Sequence, residues 1–233
     1  MKTFPAKLIA KRDVARDTIA FVFAKPENFF YAAGQYVSLV LPQLADKGPR
    51  EAGRSMSLAS APAEDFIMIV MRLGQSPYKQ TLWDMKLGET VEIRGPLGAL
   101  VPHDTTKPSV YIAGGIGIAP FRGMIMDAQA KKWPHDITLL YANRYRADAA
   151  FLDELQALEN KHFKVVPILT REKNWSGELT HCDEAMIKRY ISNIHTPFYC
   201  IVGLPNMVTE VSMLLNDMGI NFERIKTEFF TGY

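Results

Sequence analysis

The sequence predicts two domains with different secondary-structure grammars: an antiparallel β-barrel or sandwich, followed by an α/β domain built on a parallel sheet. Two observations carry this. The first hundred residues read as several short strands at close spacing, divided by turn residues. From residue 109 onward, short apolar strands alternate with helices. A third observation places the join at "PHDTTKPS" (102–109), a Pro- and Thr-containing stretch between the two patterns.

In the first half, "TIAFVFA" (18–24) alternates and "GQYVSLVLP" (34–42) is rich in β-formers up to Pro42. "DFIMIVMRL" (65–73) alternates around Ile67, Ile69 and Met71. "ETVEIRGP" (89–96) is a further strand, with Gly95 and Pro96 as its expected stop. Asp17, Pro26, Gly34, Gly48, Pro49 and Gly74 supply the turns between these strands. A short helix, "QTLWDMKLG" (80–88), is expected to end at Gly88 as its C-terminal cap.

The second half predicts strands at 109–114, 136–142, 163–169 and 198–203. Helices are expected at 120–132, 149–160, 183–191 and 206–219. In open α/β sheets, ligands collect at the carboxyl edge of the strands, so that is where chemistry is sought.

Composition narrows the function. With 48% hydrophobic and 22% charged residues, the 233-residue chain is globular. A net charge of +2 gives no footprint for nucleic acid. Two cysteines, Cys182 and Cys200, are too few for a cysteine-ligated iron–sulfur cluster, which takes about four thiolates. No metal-ligand spacing stands out among the five histidines. The N-terminal "MKTFPAKLIAKRD" lacks an apolar signal region and no run approaches the ~18 residues of a membrane span. A reduced, cytoplasmic setting is expected.

Five segments carry candidate chemistry. "GRSMSLASAP" (53–62) is small-sided, which lets a ligand approach the backbone, and it holds one charge, Arg54. "YIAGGIGIAPF" (111–121) ends a strand, turns on glycines and opens a helix, with Pro120 expected near its first position. A helix start of this kind favours a pyrophosphate, although a tight turn without a ligand fits these residues too. "FYCIVGLPNMV" (198–208) repeats the pattern, with Asn206 as a candidate cap. "YANRYR" (141–146) places Arg144 and Arg146 past another strand end, where guanidinium groups suit phosphate and also suit solvent. The chain closes on "IKTEFFTGY", whose aromatics suit either stacking or plain docking on the core.

Their order resembles the ferredoxin–NADP reductase superfamily: R-S-x-S on a barrel, G-G-x-G-x-x-P at a βα turn, G-x-P-x-M near the end, and an acidic-aromatic tail. The resemblance covers essentially the whole chain and is closest to the stand-alone bacterial branch. It implies an antiparallel Greek-key β-barrel for FAD over 1–104 and a Rossmann-like parallel sheet for NAD(P)H over 105–233. It places Arg54 on the FAD pyrophosphate, Ser57 near flavin N5, and Ser55 and Met56 beside the isoalloxazine. It assigns a second phosphate segment to Arg72, Leu73 and the "SPYKQT" loop. There Lys79 is expected at the place where relatives have Ser or Thr ahead of the helix, with Gln80 and Thr81 beside it. Gly114, Gly115, Gly117 and Pro120 match the turn facing nicotinamide and pyrophosphate. Asn143 and Arg144 stand at the nucleotide edge, and Gly203, Pro205 and Met207 match the second nucleotide segment. Glu228 and Phe230 match the tail over the flavin, with Tyr233 as the alternative stacker. Ser57, Glu228 and Phe230 are therefore the expected catalytic group, and no metal is implied.

Three positions depart from the pattern and bear on turnover more than on nucleotide binding. Met56 replaces a stacking aromatic, Val202 stands where many relatives have Cys, and Leu204 replaces the first proline of G-P-P. The implied reaction passes a hydride from NAD(P)H to FAD and electrons on to a separate acceptor such as a ferredoxin, flavodoxin or haem protein. The alternatives are a weakly active or non-catalytic electron-transfer subunit of a larger complex, and a binding module that has lost turnover.

Overall fold

A computed structural model of the chain describes residues 2–100 and 106–230. The expected boundary at 104/105 and the tail residue Tyr233 lie outside the described residues.

The first sheet is built from β1 (Thr3–Ala15), β2 (Thr18–Ala24), β3 (Tyr36–Val40), β4 (Gly53–Ser57), β5 (Phe66–Arg72) and β6 (Thr90–Leu97). All its pairs are antiparallel, in the order β4-β3-β6-β1-β2-β5, a Greek-key arrangement. The sheet curls so that its outer strands, β4 and β5, line one cleft. Inside it pack Leu8, Phe21, Phe23, Val37, Leu39, Ile67, Ile69 and Ile93. Two short helices, α1 (Pro49–Ala52) and α2 (Pro77–Asp84), sit on this domain.

The second sheet is parallel, in the order β11-β10-β7-β8-β9. It contains β7 (Ser109–Gly114), β8 (Ile137–Asn143), β9 (Phe163–Leu169), β10 (Phe198–Gly203) and β11 (Ile225–Phe229). The helices α3 (Ile118–Ala130), α4 (Leu152–Gln156), α5 (Glu184–Tyr190) and α6 (Pro205–Asp217) connect its strands. One core joins the two domains: Ala20, Val22, Ala59 and Val70 of the first share a buried cluster with Tyr111, Phe121 and Met124 of the second. Among the described residues no helix is long and apolar enough to cross a membrane.

Several expectations shift. β6 does not stop at Gly95 and Pro96 but continues to Leu97, which pairs with Tyr36 across a register shift in β3. The expected 80–88 helix runs from Pro77 to Asp84, because Ser76 caps it, accepting from Lys79 N at 3.3 Å, and Pro77 fits the first turn. Gly88 is not its cap but lies in the following turn at φ +93°. The expected 149–160 helix shrinks to Leu152–Gln156, because Phe151 adopts a left-handed φ of 60° just before it. Pro120 is not at the first helical position: α3 starts at Ile118, so the proline falls third, still in the first turn. Asn206 does not cap α6, which begins at Pro205 after Leu204.

Candidate active site

The cleft lies between the domains and encloses about 270 Å³. Its first wall is made by Arg54, Ser55, Met56 and Ser57 of β4, Arg72 of β5, and Lys79 of α2. Its second wall is made by Ile116 and Ala119 of the Gly-rich turn and by Glu228 and Phe230 of the tail. Expected residues from three separate stretches of sequence therefore meet at one place, joined by Ile116 and Ala119, which the sequence did not single out.

The first wall is cationic. Arg54 stacks its guanidinium over the Tyr78 ring at 5.1 Å and donates to the carbonyls of Arg50 and Gly53. Glu51 approaches it at 3.8 Å on the solvent side. Burial, and then the charge of Arg72, hold the Lys79 amine below its ordinary range. Two cations that disfavour each other, at the start of a capped helix, are relieved by an anion. A diphosphate fits this donor set, and the small Ser55 and half-buried Met56 leave a flat, partly apolar face for a ring. The residues present thus fit FAD. Leu73, Gln80 and Thr81 do not line the cleft: Leu73 packs on the barrel core. Ser76, rather than Lys79, is the hydroxyl residue ahead of the helix.

The two walls meet where Ser57 and Glu228 line the same cleft. Burial pushes the Glu228 carboxyl up to about 6, with the Ser57 hydroxyl opposing the shift. The tail reaches this point because it forms a strand: β11 pairs in parallel with β10, setting Glu228 beside Val202 and Phe229 beside Gly203. Phe230 N then donates to Gly203 O at 2.9 Å, and its ring packs against the shared core at the cleft.

The residues expected to meet the nucleotide lie outside the lining of the cleft, at the carboxyl edge of the parallel sheet. There β7 and β10 come together backbone to backbone. A Cβ on Gly117 would meet Val202 O at 2.3 Å, and one on Gly203 would meet Met207 Sδ at 2.7 Å and Gly114 Cα at 3.4 Å. Gly115 differs: at φ +54° it faces open space, the side from which a nicotinamide nucleotide can approach. Asn143 is buried and its carbonyl accepts from Thr170 N at 2.9 Å. Arg144 is exposed, and its carbonyl holds Arg171 N at 2.9 Å. Arg146 instead pairs with Asp153 at 2.5 Å, so it is a loop charge. Pro205 opens α6 at the same edge.

Sequence reasoning missed Tyr36, Val70, Met71, Ile116, Ala119 and Phe229 as lining residues, and it gave Ser76 and Tyr78 only as part of the "SPYKQT" segment. The Ser76–Pro77 pair was a readable cap signal. Tyr36, Val70 and Met71 carry no local signal, because they reach the cleft through the curl of the first sheet.

Residues 5–101 match the family model of the oxidoreductase FAD-binding domain, and residues 111–213 that of the oxidoreductase NAD-binding domain. Among curated proteins, the F subunit of the Na(+)-translocating NADH-quinone reductase of Yersinia enterocolitica is 31% identical over 201 residues, 77% of this chain and 49% of that one. The protein of the same name from Haemophilus ducreyi is 30% identical over 200 residues, again 77% and 49%. The chain thus spans about half the length of the curated relatives it matches. Among solved structures, the Amycolatopsis cytochrome P450 reductase GcoB aligns with a TM-score of 0.85 at 27% identity, over 99% of this chain and 70% of that one. A ferredoxin NADP+ reductase from Neisseria gonorrhoeae, with bound FAD and NADP, shares the fold at a TM-score of 0.84 and 24% identity, over 98% and 99%. The chain belongs to the ferredoxin–NADP reductase superfamily of FAD- and NAD(P)H-dependent oxidoreductases.

Proposed function

We propose that this chain, divided at 104/105 into an FAD domain and an NAD(P)H domain, oxidises NAD(P)H and serves a separate electron acceptor. The observation that carries the reading is the shared cleft, in which Ser57 and the cationic Arg54, Arg72 and Lys79 of the first domain meet Glu228 and Phe230 of the second. Held there, FAD would supply the chemistry of hydride acceptance and one-electron release. The protein's task is then to bind, orient and exclude water.

Arg54, Arg72 and Lys79 hold the diphosphate through charge-assisted bonds. Ser55 and Met56 would flank the ring. Ser57 and Glu228 would hold a proton in the cleft, and Phe230 would cover the ring in the absence of nicotinamide. Gly114, Gly115, Gly117 and Pro120 admit the nicotinamide and pyrophosphate, and Gly203, Pro205 and Met207 form the opposite lip. Asn143 and Arg144 serve the adenosine end. The reacting atoms must come within roughly 3–3.5 Å, a separation set by how the domains meet.

The acceptor is a separate redox protein or small molecule. The named relatives, a quinone reductase subunit and a P450 reductase, differ in this respect, so the fold does not choose it. The free thiols of Cys182 and Cys200 suit a cytoplasmic setting. A second reading, an electron-transfer subunit of a larger complex, is supported by the name of the curated relatives, which are subunits. Purified protein is expected to be yellow, to release FAD on denaturation and to be bleached by NADH or NADPH. Colourless protein that takes up no FAD overturns the first reading. A stoichiometric partner in pull-downs, with flavin that no nucleotide bleaches, establishes the second.

A further inference from the structure

Helix α3 leaves the Gly-rich turn and runs directly across the first domain. Its residues Ala119, Arg122 and Gly123 are spaced by three and four, so they share one face. Ala119 lines the cleft. Gly123 lets the helix rest on the carbonyls that follow β4: a Cβ there would lie 2.7 Å from Ser60 O and 2.9 Å from Leu58 O. Between them, the Arg122 side chain is only 5% exposed.

All three guanidinium nitrogens of Arg122 are in use. Across the domain boundary, Nη1 donates to Ala59 O at 2.7 Å and to Glu64 Oε2 at 3.2 Å, and Nη2 reaches Glu64 Oε1 at 3.3 Å. Within its own domain, Nη2 donates to Glu154 Oε1 at 2.7 Å and Nε to Glu154 Oε2 at 3.3 Å. Glu64 is itself pinned, accepting from Ala61 N at 2.6 Å. The Phe151 ring lies under the guanidinium at 5.3 Å.

One anchor of this clamp, Ala59, is two residues from Ser57. Arg122 itself is three residues past Ala119 on the same helix. Sliding α3 along the first domain would break buried charge-assisted bonds whose fork geometry permits one arrangement. A contact needed only for stability could be apolar, since well-packed hydrophobic residues often replace buried ion pairs without loss. We propose that Arg122 is a positioning residue for hydride transfer: its bonds to Ala59 and Glu64 set how the 114–120 turn sits over β4.

This inference rests on the proposed flavin and nicotinamide sides of the cleft. Its test compares two substitutions that each remove one charged partner of Arg122, Glu64→Gln across the boundary and Glu154→Gln within the second domain. Flavin-loaded protein is mixed anaerobically with saturating nucleotide, following the rate of flavin bleaching and the long-wavelength absorbance of the nucleotide–flavin complex. Melting temperatures are recorded alongside. Glu64→Gln is expected to slow bleaching by about ten-fold or more, as a small misplacement of reacting groups does, and to weaken the long-wavelength band. Glu154→Gln is expected to lower the melting temperature and leave both readouts at wild-type values. Arg122→Lys, which keeps the charge and loses the fork, should slow bleaching too, and it serves as the test if Glu64→Gln does not fold. Equal readouts in the two glutamine variants, slowed or not, overturn the assignment. Wild-type protein that no nucleotide bleaches overturns the proposed function itself, and is distinguished by preceding any substitution.

Discussion

The cationic wall of the cleft and the glycine edge of the parallel sheet are built by opposite means. The first presents side chains, a cluster of Arg54, Arg72 and Lys79 that an anion relieves. The second removes them: a Cβ on Gly117 would strike the Val202 carbonyl, and one on Gly114 or Gly203 would strike Met207 Sδ. A charged wall can lose affinity while keeping its fold, whereas a glycine packed on backbone loses its fold first. Substitutions should separate the two sharply.

The largest effect is expected at Gly117. An alanine Cβ 2.3 Å from the Val202 carbonyl forces backbone to move. That overpacking costs about 3 kcal/mol, a fall in melting temperature of roughly 6–12 °C by calorimetry. Gly115→Ala meets open space and carries only the left-handed strain at φ +54°, about 1–2 kcal/mol. Equal melting temperatures for the two variants would erase the distinction between the packed glycines and the open one.

Arg54→Ala comes next. Losing a charge-assisted contact of about 1.5–3 kcal/mol should weaken FAD binding by roughly 10- to 100-fold. Its contacts are two carbonyls, the face of the Tyr78 ring and an exposed glutamate, so the fold should survive. Calorimetric FAD titration on folded protein checks this, and wild-type affinity in the variant would remove Arg54 from the site.

The pH dependence sharpens the point where the walls meet. Burial raises the folded Glu228 carboxyl from 4.5 to about 6, so the folded protein binds this proton more tightly than the unfolded chain does. Its contribution to stability is present below about 4.5 and is lost as pH rises through about 6. Glu228→Gln should flatten that segment of the stability profile. Ser57→Ala should move the inflection upward, because the serine hydroxyl opposes the shift. An unchanged inflection in Ser57→Ala would mean that the two residues do not communicate.

The smallest effect is expected at Met56. An aromatic there stacks on a ring face, adding roughly 0.5–1.5 kcal/mol. Met56→Tyr should therefore tighten FAD modestly in the same titration. Weaker binding would show that the thioether already fills the space.

Much of this contrast was legible in the sequence, since glycines at strand ends and an arginine in a small-sided strand are local signals. The strands of the second domain were legible for the same reason: each is apolar and each is closed by a turn. β1 was not. "TFPAKLIAKRDVA" hides its strand because Lys7, Ile9 and Asp13 face solvent while only Ala6 and Leu8 are fully buried. The tail strand β11 exists through parallel pairing with β10, which no local pattern encodes. Phe151 delays the start of a good helical pattern by a backbone conformation that its own side chain does not favour. The Arg122 clamp joins residues 58 positions apart, and its partners are ordinary glutamates until the fold brings them together.

The central claim is that both walls act on one electron path. Anaerobic titration of the purified yellow protein with NADH and, separately, NADPH tests it most directly. Complete bleaching of the flavin by one nucleotide per flavin, with one nucleotide preferred, is the predicted result. Flavin that stays oxidised with both nucleotides in excess would contradict it, leaving two binding sites that share a cleft and no reaction.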